Sequence, residues 1–410
     1  MPRPERQREG GFVRIILLLA LLAGAIWVGC IVRDKRLALS DLETWFTEPQ
    51  PIGRQAGDPL ARLGIDPADV REGDGADVRF VGLTKYLNDA HAVVTHTADD
   101  SSPRVPDTIA VLDRYDIKAT FFISTARRAD ELWPVLSRAV KNGHEVGSHA
   151  RTHPCQFPPD QWFCTLAYSN DELIGSRDDI LAHVDQPYVW SFAYPCGLCN
   201  EHGFVRDKLR HAGYLVARIY PDEANGGHLV PDMNTWDDRR YRATYTQAVQ
   251  KDGGIAPSGR TDVAAINAKF DEVVSAGGIY NFLTHPNWLD FEPGSFYEQH
   301  LAHIARRSDI WYVPMGPLYA YQTVTEHTKV QALADGRFAV TYDLSPDVFP
   351  NSVTIEFETG GREVSVVRTE RGDIAPNTGG PTYGWDSEFY RVDGDRLLVT
   401  VQPNTVLEIP

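Results

Sequence analysis

From Ala90 onward, short β-branched or aromatic runs alternate with helix-length amphipathic stretches, and this alternation restricts the fold more than any other feature of the 410 residues. The runs are HAVVTHT, ATFFIST, HEVGSH, VWSFAYP, YLVARIY and IYNFLTH. Between them the apolar spacing predicts helices near Pro106 to Tyr115, Asp130 to Asn142, Asp171 to His183, Phe204 to Ala212 and Val263 to Ala276. Strands that recur with a helix between each pair cannot be joined as hairpins. They predict a parallel α/β sheet or barrel, with catalytic residues at the carboxyl ends of its strands.

The flanks differ. Residues 37–89 are rich in Pro, Gly and charge without a sustained period, and read as a stalk or irregular linker. Residues 325–410 carry short alternating strands (RFAVTYDL, SVTIEFETGGREVSVVRT, DRLLVTVQPNTVLEI), which predict a small all-β, sandwich-like domain. No candidate ligand or base falls in it, so it is expected to be dispensable for chemistry. The α/β domain is assigned to residues 90–324.

Residues 1–36 form a basic tail and an apolar span. Ile15 to Val32 is an unbroken apolar stretch between Arg14 and Arg33, long enough at the helical rise to cross a bilayer. The reading is one transmembrane helix, with the bulk of the chain periplasmic or extracellular. The rival is a cleaved signal peptide, since Ala23-Gly24-Ala25 resembles a cleavage site, but the apolar run continues through Ile26, Trp27 and Val28. A formal net charge of -16 repels phosphate backbones and argues against nucleic acid as a partner.

Cys155, Cys164, Cys196 and Cys199 lie in the soluble part. In an oxidising compartment disulfides are the default, and local pairs, Cys155 with Cys164 and Cys196 with Cys199, are expected. A four-thiolate zinc site is the alternative, for which Cys196-x-x-Cys199 has the spacing and Cys155 with Cys164 does not.

Chemistry concentrates at three strand ends: Asp99-Asp100, His149-x-x-x-His153 and His285. Adjacent strand residues point to opposite faces, so Asp99 and Asp100 serve one site only where the strand gives way to the loop Ser101-Ser102-Pro103. Two histidines and one carboxylate on a divalent metal leave positions open for water and substrate, as in hydrolytic sites. His96 is read as packed within the barrel, and His144 as structural. Trp236, Asp237 and Asp238 form an aromatic and acidic cluster that would line a sugar groove or hold His285, and Trp288 and Tyr194 are further groove candidates.

Over about Ala90 to Tyr321 the sequence resembles the polysaccharide deacetylases, the carbohydrate esterase group that includes chitin, peptidoglycan and poly-N-acetylglucosamine deacetylases. Thr97-Ala98-Asp99-Asp100-Ser101 is similar to the family's opening T-F-D-D-G motif, and Ala119-Thr120-Phe121-Phe122 follows at the expected distance. The run Gly143 to His153 (GHEVGSHARTH) resembles the second motif, Phe282-Leu283-Thr284-His285 a later one, and Trp311 to Gly316 the closing strand and turn. The resemblance implies a distorted (β/α) barrel and a hydrolase that removes N-acetyl groups from an N-acetylglucosamine-containing polysaccharide. Asp100, His149 and His153 are then ligands of a divalent metal, most simply Zn2+, with Asp99 the general base and His285 the general acid. Two rivals are an O-acetyl polysaccharide esterase and an inactive carbohydrate-binding protein. The family's R-x-P-Y-G motif appears as Ala193-Tyr194-Pro195-Cys196-Gly197. Cys196 stands for the tyrosine whose backbone N–H is the expected oxyanion donor, and Ala193 stands for the arginine that orients the base. On this reading Asp99 lacks its usual partner.

Overall fold

The computed structural model describes residues 52–71, 78–219, 248–249, 255–256, 263–377 and 384–410. The apolar run at Ile15 to Val32 and the cluster Trp236, Asp237 and Asp238 lie outside these residues. Among the described residues no helix is long and apolar enough to cross a membrane.

The chain runs β1 (Arg79–Leu83), β2 (Ala92–Asp99), α1 (Val105–Tyr115), β3 (Ala119–Ile123), α2 (Ala129–Lys141), β4 (Glu145–Ser148), α3 (Gln161–Ala167), α4 (Asn170–His183), β5 (Ser191–Ala193), α5 (Gly203–His211) and β6 (Val216–Arg218). It continues through β7 (Ala248–Val249), β8 (Ile255–Ala256), α6 (Val263–Ser275), β9 (Ile279–Thr284), α7 (Phe296–Ile304), β10 (Ile310–Tyr312) and α8 (Met315–His327). Eight β-strands follow: β11 (Thr328–Ala332), β12 (Phe338–Tyr342), β13 (Val353–Glu358), β14 (Val367–Thr369), β15 (Gly372–Ile374), β16 (Phe389–Asp393), β17 (Arg396–Val401) and β18 (Thr405–Leu407).

The first sheet has the order β6-β5-β4-β3-β2-β9-β7-β8, with β10 beside β2. Every pairing in it is parallel except β7 with β8. All eight residues of β2 are buried, as expected of a strand covered on both faces. On one face lie the helices. Pro106 near the start of α1 and left-handed Asp116 just beyond its end set its limits, and Val105, Ile109 and Leu112 recur at helical spacing on its buried side. In α2, Asp130 and Glu131 open the helix while Arg138 and Lys141 close it, in the sense the helix dipole favours.

The other face is the inside of a partial barrel, filled by Val93, Phe122, Ala193, Val216, Leu283 and Trp311 together with Leu318, Tyr319 and Tyr321 of α8. The N-terminus of α8 is held there by the buried Glu145, whose Oε2 accepts from the Gly316 N–H at 2.8 Å and from the Thr120 hydroxyl at 2.7 Å. A Cβ at Gly316 would lie 1.9 Å from Glu145 Oε1, so this close approach needs glycine. Burial of a carboxyl among neutral donors pushes the Glu145 pKa up.

Helices α3, α7 and α8 do not appear in the periodicity. Met315 to Val324 of α8 is buried on every side, which removes the polar face that makes a helix legible.

The segment read as a stalk is structured in part. β1 pairs antiparallel with β13, and Arg54 and Val70 bridge to Leu344 and Leu333. Among its described residues, Pro59 and Pro67 each open a short helical turn between these contacts. The C-terminal strands form sheets β1-β13-β17-β16 and β11-β12-β18, plus the pair β14-β15. Phe338 of β12 meets Phe357 of β13 at 4.9 Å between ring centroids, so the two larger sheets share one core in a sandwich-like arrangement. That core also takes in Trp190, Leu215, Ala320 and Val324 from the α/β part, and the Trp190 indole N–H donates to the Val348 carbonyl at 3.1 Å.

Candidate metal centre

The site lies at the carboxyl ends of β2, β4 and β5. β2 ends at Asp99, and Asp100 turns away at φ 76 into a loop pinned by the Ser101 hydroxyl, which donates to the Ser124 carbonyl at 2.9 Å. The Ser102 hydroxyl donates to Asn287 Oδ1 at 2.6 Å, tying this loop to the one after β9. The turn lets both carboxylates face one site.

After β4 the chain passes through His149 to His153, with Ala150 and His153 in left-handed conformations. Glu172 on α4 holds this loop. Its Oε2 accepts from the Arg151 and Thr152 N–H groups at 2.9 and 2.8 Å, and Oε1 accepts from the Thr152 hydroxyl at 2.5 Å. Arg151 in turn pairs with Asp171 and Asp179 at 2.6 and 3.1 Å. None of these acidic side chains carries a sequence signal of its own, since they look like an ordinary polar helix face.

One atom each from Asp100, His149 and His153 lies within 4.8 Å of the others. Asp100 Oδ1 is 3.4 Å from His153 Nε2 and 3.6 Å from His149 Nε2. The donor set fits a divalent metal: the His149 Nδ1–H donates to the Ala193 carbonyl at 2.9 Å, which leaves Nε2 with a lone pair directed at the cluster. Burial first, then His153, lowers the His149 pKa to about 4 and keeps the ring neutral, the form that ligates. For Asp100 burial acts to raise the pKa. The hydrogen bond with His153 and the nearby His149 and His285 outweigh it, holding the carboxyl well below the usual carboxylate range.

Asp99 is buried beside the cluster, its Oδ2 3.9 Å from His149 Nε2. The expectation that it lacks a cationic partner is corrected by the fold: Arg218, at the end of β6, forms an ion pair with Asp99 Oδ1. Both side chains are almost wholly buried, at 1% and 3% exposure. A pattern read along the chain cannot register this contact between strands four ladder steps apart in a curved sheet.

His285, just past β9, is stacked on Trp288 with centroids 3.9 Å apart. Burial drives its pKa down to about 3 against the pull of Asp100, so the ring is neutral. Trp288 keeps 41% of its surface exposed, as a groove residue requires. Tyr194 does not: it is 1% exposed and packed edge-on to Tyr168 and Phe192, so its ring offers no face to a sugar. It faces the helix layer because the residue after β5 turns outward. His96 is fully buried, with Nε2 2.9 Å from the Tyr297 hydroxyl. His144 bridges the Ala119 N–H and Asp113 at 3.1 and 3.0 Å.

The cysteines pair across loops, Cys155 with Cys196 and Cys164 with Cys199, which corrects the local pairing. β4 and β5 are parallel neighbours, so the segments leaving their carboxyl ends emerge side by side, and Cys155 in the loop and Cys164 on α3 each meet a partner in the segment after β5. Cα separations of 6.0 and 5.7 Å suit the bond. The first bridge joins the residue two past His153 to Cys196, which sits at φ 55 in the turn after β5.

Residues 87–217 match the family model described as polysaccharide deacetylase. Among solved structures, a Mycobacterium smegmatis chain described as a polysaccharide deacetylase aligns at 13% identity over 61% of this chain and 96% of its own, with a TM-score of 0.44. The Xyl-CE4 domain of a multidomain xylanase from the hindgut metagenome of Trinervitermes trinervoides aligns at 18% identity over 56% and 89%, TM-score 0.34. A family 4 carbohydrate esterase from Streptomyces lividans aligns at 15% identity over 52% and 86%, TM-score 0.34.

Proposed function

With residues 87–217 a polysaccharide deacetylase domain, we propose that this chain is a metal-dependent hydrolase that removes N-acetyl groups from an N-acetylglucosamine-containing polysaccharide. The observation that carries the reading is the convergence of Asp100, His149 and His153, with the buried carboxylate of Asp99 set against them. A divalent ion held by those three, Zn2+ by the donor set, would activate water and polarise the acetamide carbonyl.

The roles of the chain's own groups follow from position. Asp99, as general base, takes a proton from the attacking water. The hydroxide adds to the acetyl carbon, the C–N bond breaks, and acetate and a free amine leave. His285 is neutral at rest, so it must acquire a proton during the cycle before protonating the departing nitrogen. The proton taken up by Asp99 balances that need. The Cys196 N–H is the proposed oxyanion donor, its loop braced to the ligand loop through Cys155. Trp288 would give the sugar ring an apolar face beside His285. The two disulfides suit a catalytic part outside the cytoplasm, and Ile15 to Val32 would anchor it to the membrane.

Acetate release from chitooligosaccharides, peptidoglycan, poly-N-acetylglucosamine and acetylxylan, with and without a chelator, tests this reading. Chelator-sensitive release from an N-acetylated glycan is expected. Release from acetylxylan alone would make the chain an O-acetyl esterase, and release from none would leave a carbohydrate-binding protein.

A further inference from the structure

We propose that Arg218 is the positioning residue for the carboxylate of Asp99, supplied from β6 across the barrel interior into the space left by the small side chain of Ala193. The inference deepens the proposed function, in which Asp99 is the base. It starts from register. Ala193 and Arg218 are direct partners in the β5–β6 ladder, so their side chains leave neighbouring strands on the same face. That face is the inner one, because Val216, two residues before Arg218, and Ala193 both belong to the barrel interior.

Along the sheet β6 is four ladder steps from β2, roughly 19 Å at the usual strand spacing. An arginine side chain spans far less than that. Its contact with Asp99 therefore runs through the hollow of the curled sheet, and the route is visible. The guanidinium carbon lies 5.0 Å from the ring centroid of Phe122, the direct partner of Asp99 on β3. The ring can lie across the sheet because the next strand carries Gly147, where a Cβ would meet Phe122 Cε1 at 2.6 Å. Phe122 thus gives the guanidinium an apolar floor that fixes its plane, and a buried carboxylate stands at its end. Ala193 adds no side-chain bulk in the way, while its carbonyl orients His149.

One cation so placed holds the Asp99 carboxylate by charge at Oδ1, and leaves Oδ2, the oxygen nearer His149, on the side where water would be activated. A structural ion pair would serve the fold equally well with the carboxylate turned elsewhere. A positioning role is therefore distinguished by turnover.

The test uses the whole 410-residue chain carrying Arg218→Ala, Arg218→Lys, Asp99→Asn, the double variant Arg218→Ala/Asp99→Asn, and the relocated pair Arg218→Ala/Ala193→Arg. Melting temperatures of wild type, the two singles and their double form a cycle that needs no activity. Coupled, non-additive shifts are expected, and additive shifts overturn the pairing. On the glycan that wild type deacetylates, Arg218→Ala is expected to lower kcat about 100-fold with KM and metal content unchanged. Arg218→Lys should recover part of the loss, and Ala193→Arg in the relocated pair should recover most of it. If the relocated variant does not fold, free guanidinium added to Arg218→Ala takes its place as the rescue. A folded, metal-loaded Arg218→Ala with wild-type kcat overturns the inference. A wild type inactive on every acetylated glycan overturns the proposed function, and the base-orienting role with it, while the melting cycle still decides the pairing.

Discussion

Replacing Glu172 by Gln should weaken the metal site without touching a ligand. The Glu172 carboxylate accepts three hydrogen bonds from the loop between His149 and His153: two from the Arg151 and Thr152 backbone and one from the Thr152 hydroxyl. Gln keeps the length of the side chain and can turn its NH2 to the Thr152 hydroxyl, which accepts, so the bonds survive while the charge that strengthens them is lost. At about 1 kcal/mol for each charge-assisted bond made neutral, the loop stands to lose on the order of 2 to 3 kcal/mol of its preference for the ligating conformation. Since 1.4 kcal/mol is tenfold, metal affinity should fall by about 30- to 100-fold, within the range usual for partners that orient metal ligands. The ligands themselves remain, so the variant should still load fully at high metal. Competition against a chelating dye would measure the affinity, with circular dichroism as the check on folding. A folded Glu172→Gln that holds metal as tightly as wild type would refute the idea that α4 organises the ligand loop.

The disulfides close loops of 41 and 35 residues in sequence separation, which corresponds to about 4 kcal/mol each in the chain-entropy account. Replacing either pair by serine should lower the melting temperature, and non-reducing peptide mapping should return Cys155–Cys196 and Cys164–Cys199 rather than local pairs. Ending the chain at His327 should give an unfolded or aggregated product by gel filtration and circular dichroism. It strips β13 from β1 and uncovers Trp190 and Leu215, so a folded truncation with wild-type activity would contradict the shared core.

The βα alternation was legible because most of its helices keep one polar face: Val105–Tyr115 and Ala129–Lys141 lie within a residue or two of their predicted limits. The site residues Asp99, Asp100, His149, His153 and His285 stand out in sequence because they end strand runs or follow them closely, and the fold brings the first four together. What was not legible depends on contacts between distant strands. YLVARIY reads as a strand, but nothing in it says that the sheet curls enough for Arg218 to meet Asp99. The disulfide pairing depends likewise on β4 and β5 being neighbours, and β1 was hidden because five residues in a Pro- and Gly-rich stretch become a strand only against β13.

Asp99 and Asp100 are proposed to do different work, and metal stoichiometry beside acetate release for wild type, Asp99→Asn and Asp100→Ala separates the two roles. Asp100→Ala removes one of the three proposed ligands and should lose both metal and activity. Asp99→Asn should keep its metal and its fold while kcat falls by about two to four orders of magnitude. Near-normal turnover by a fully metal-loaded Asp99→Asn would rule out Asp99 as the base.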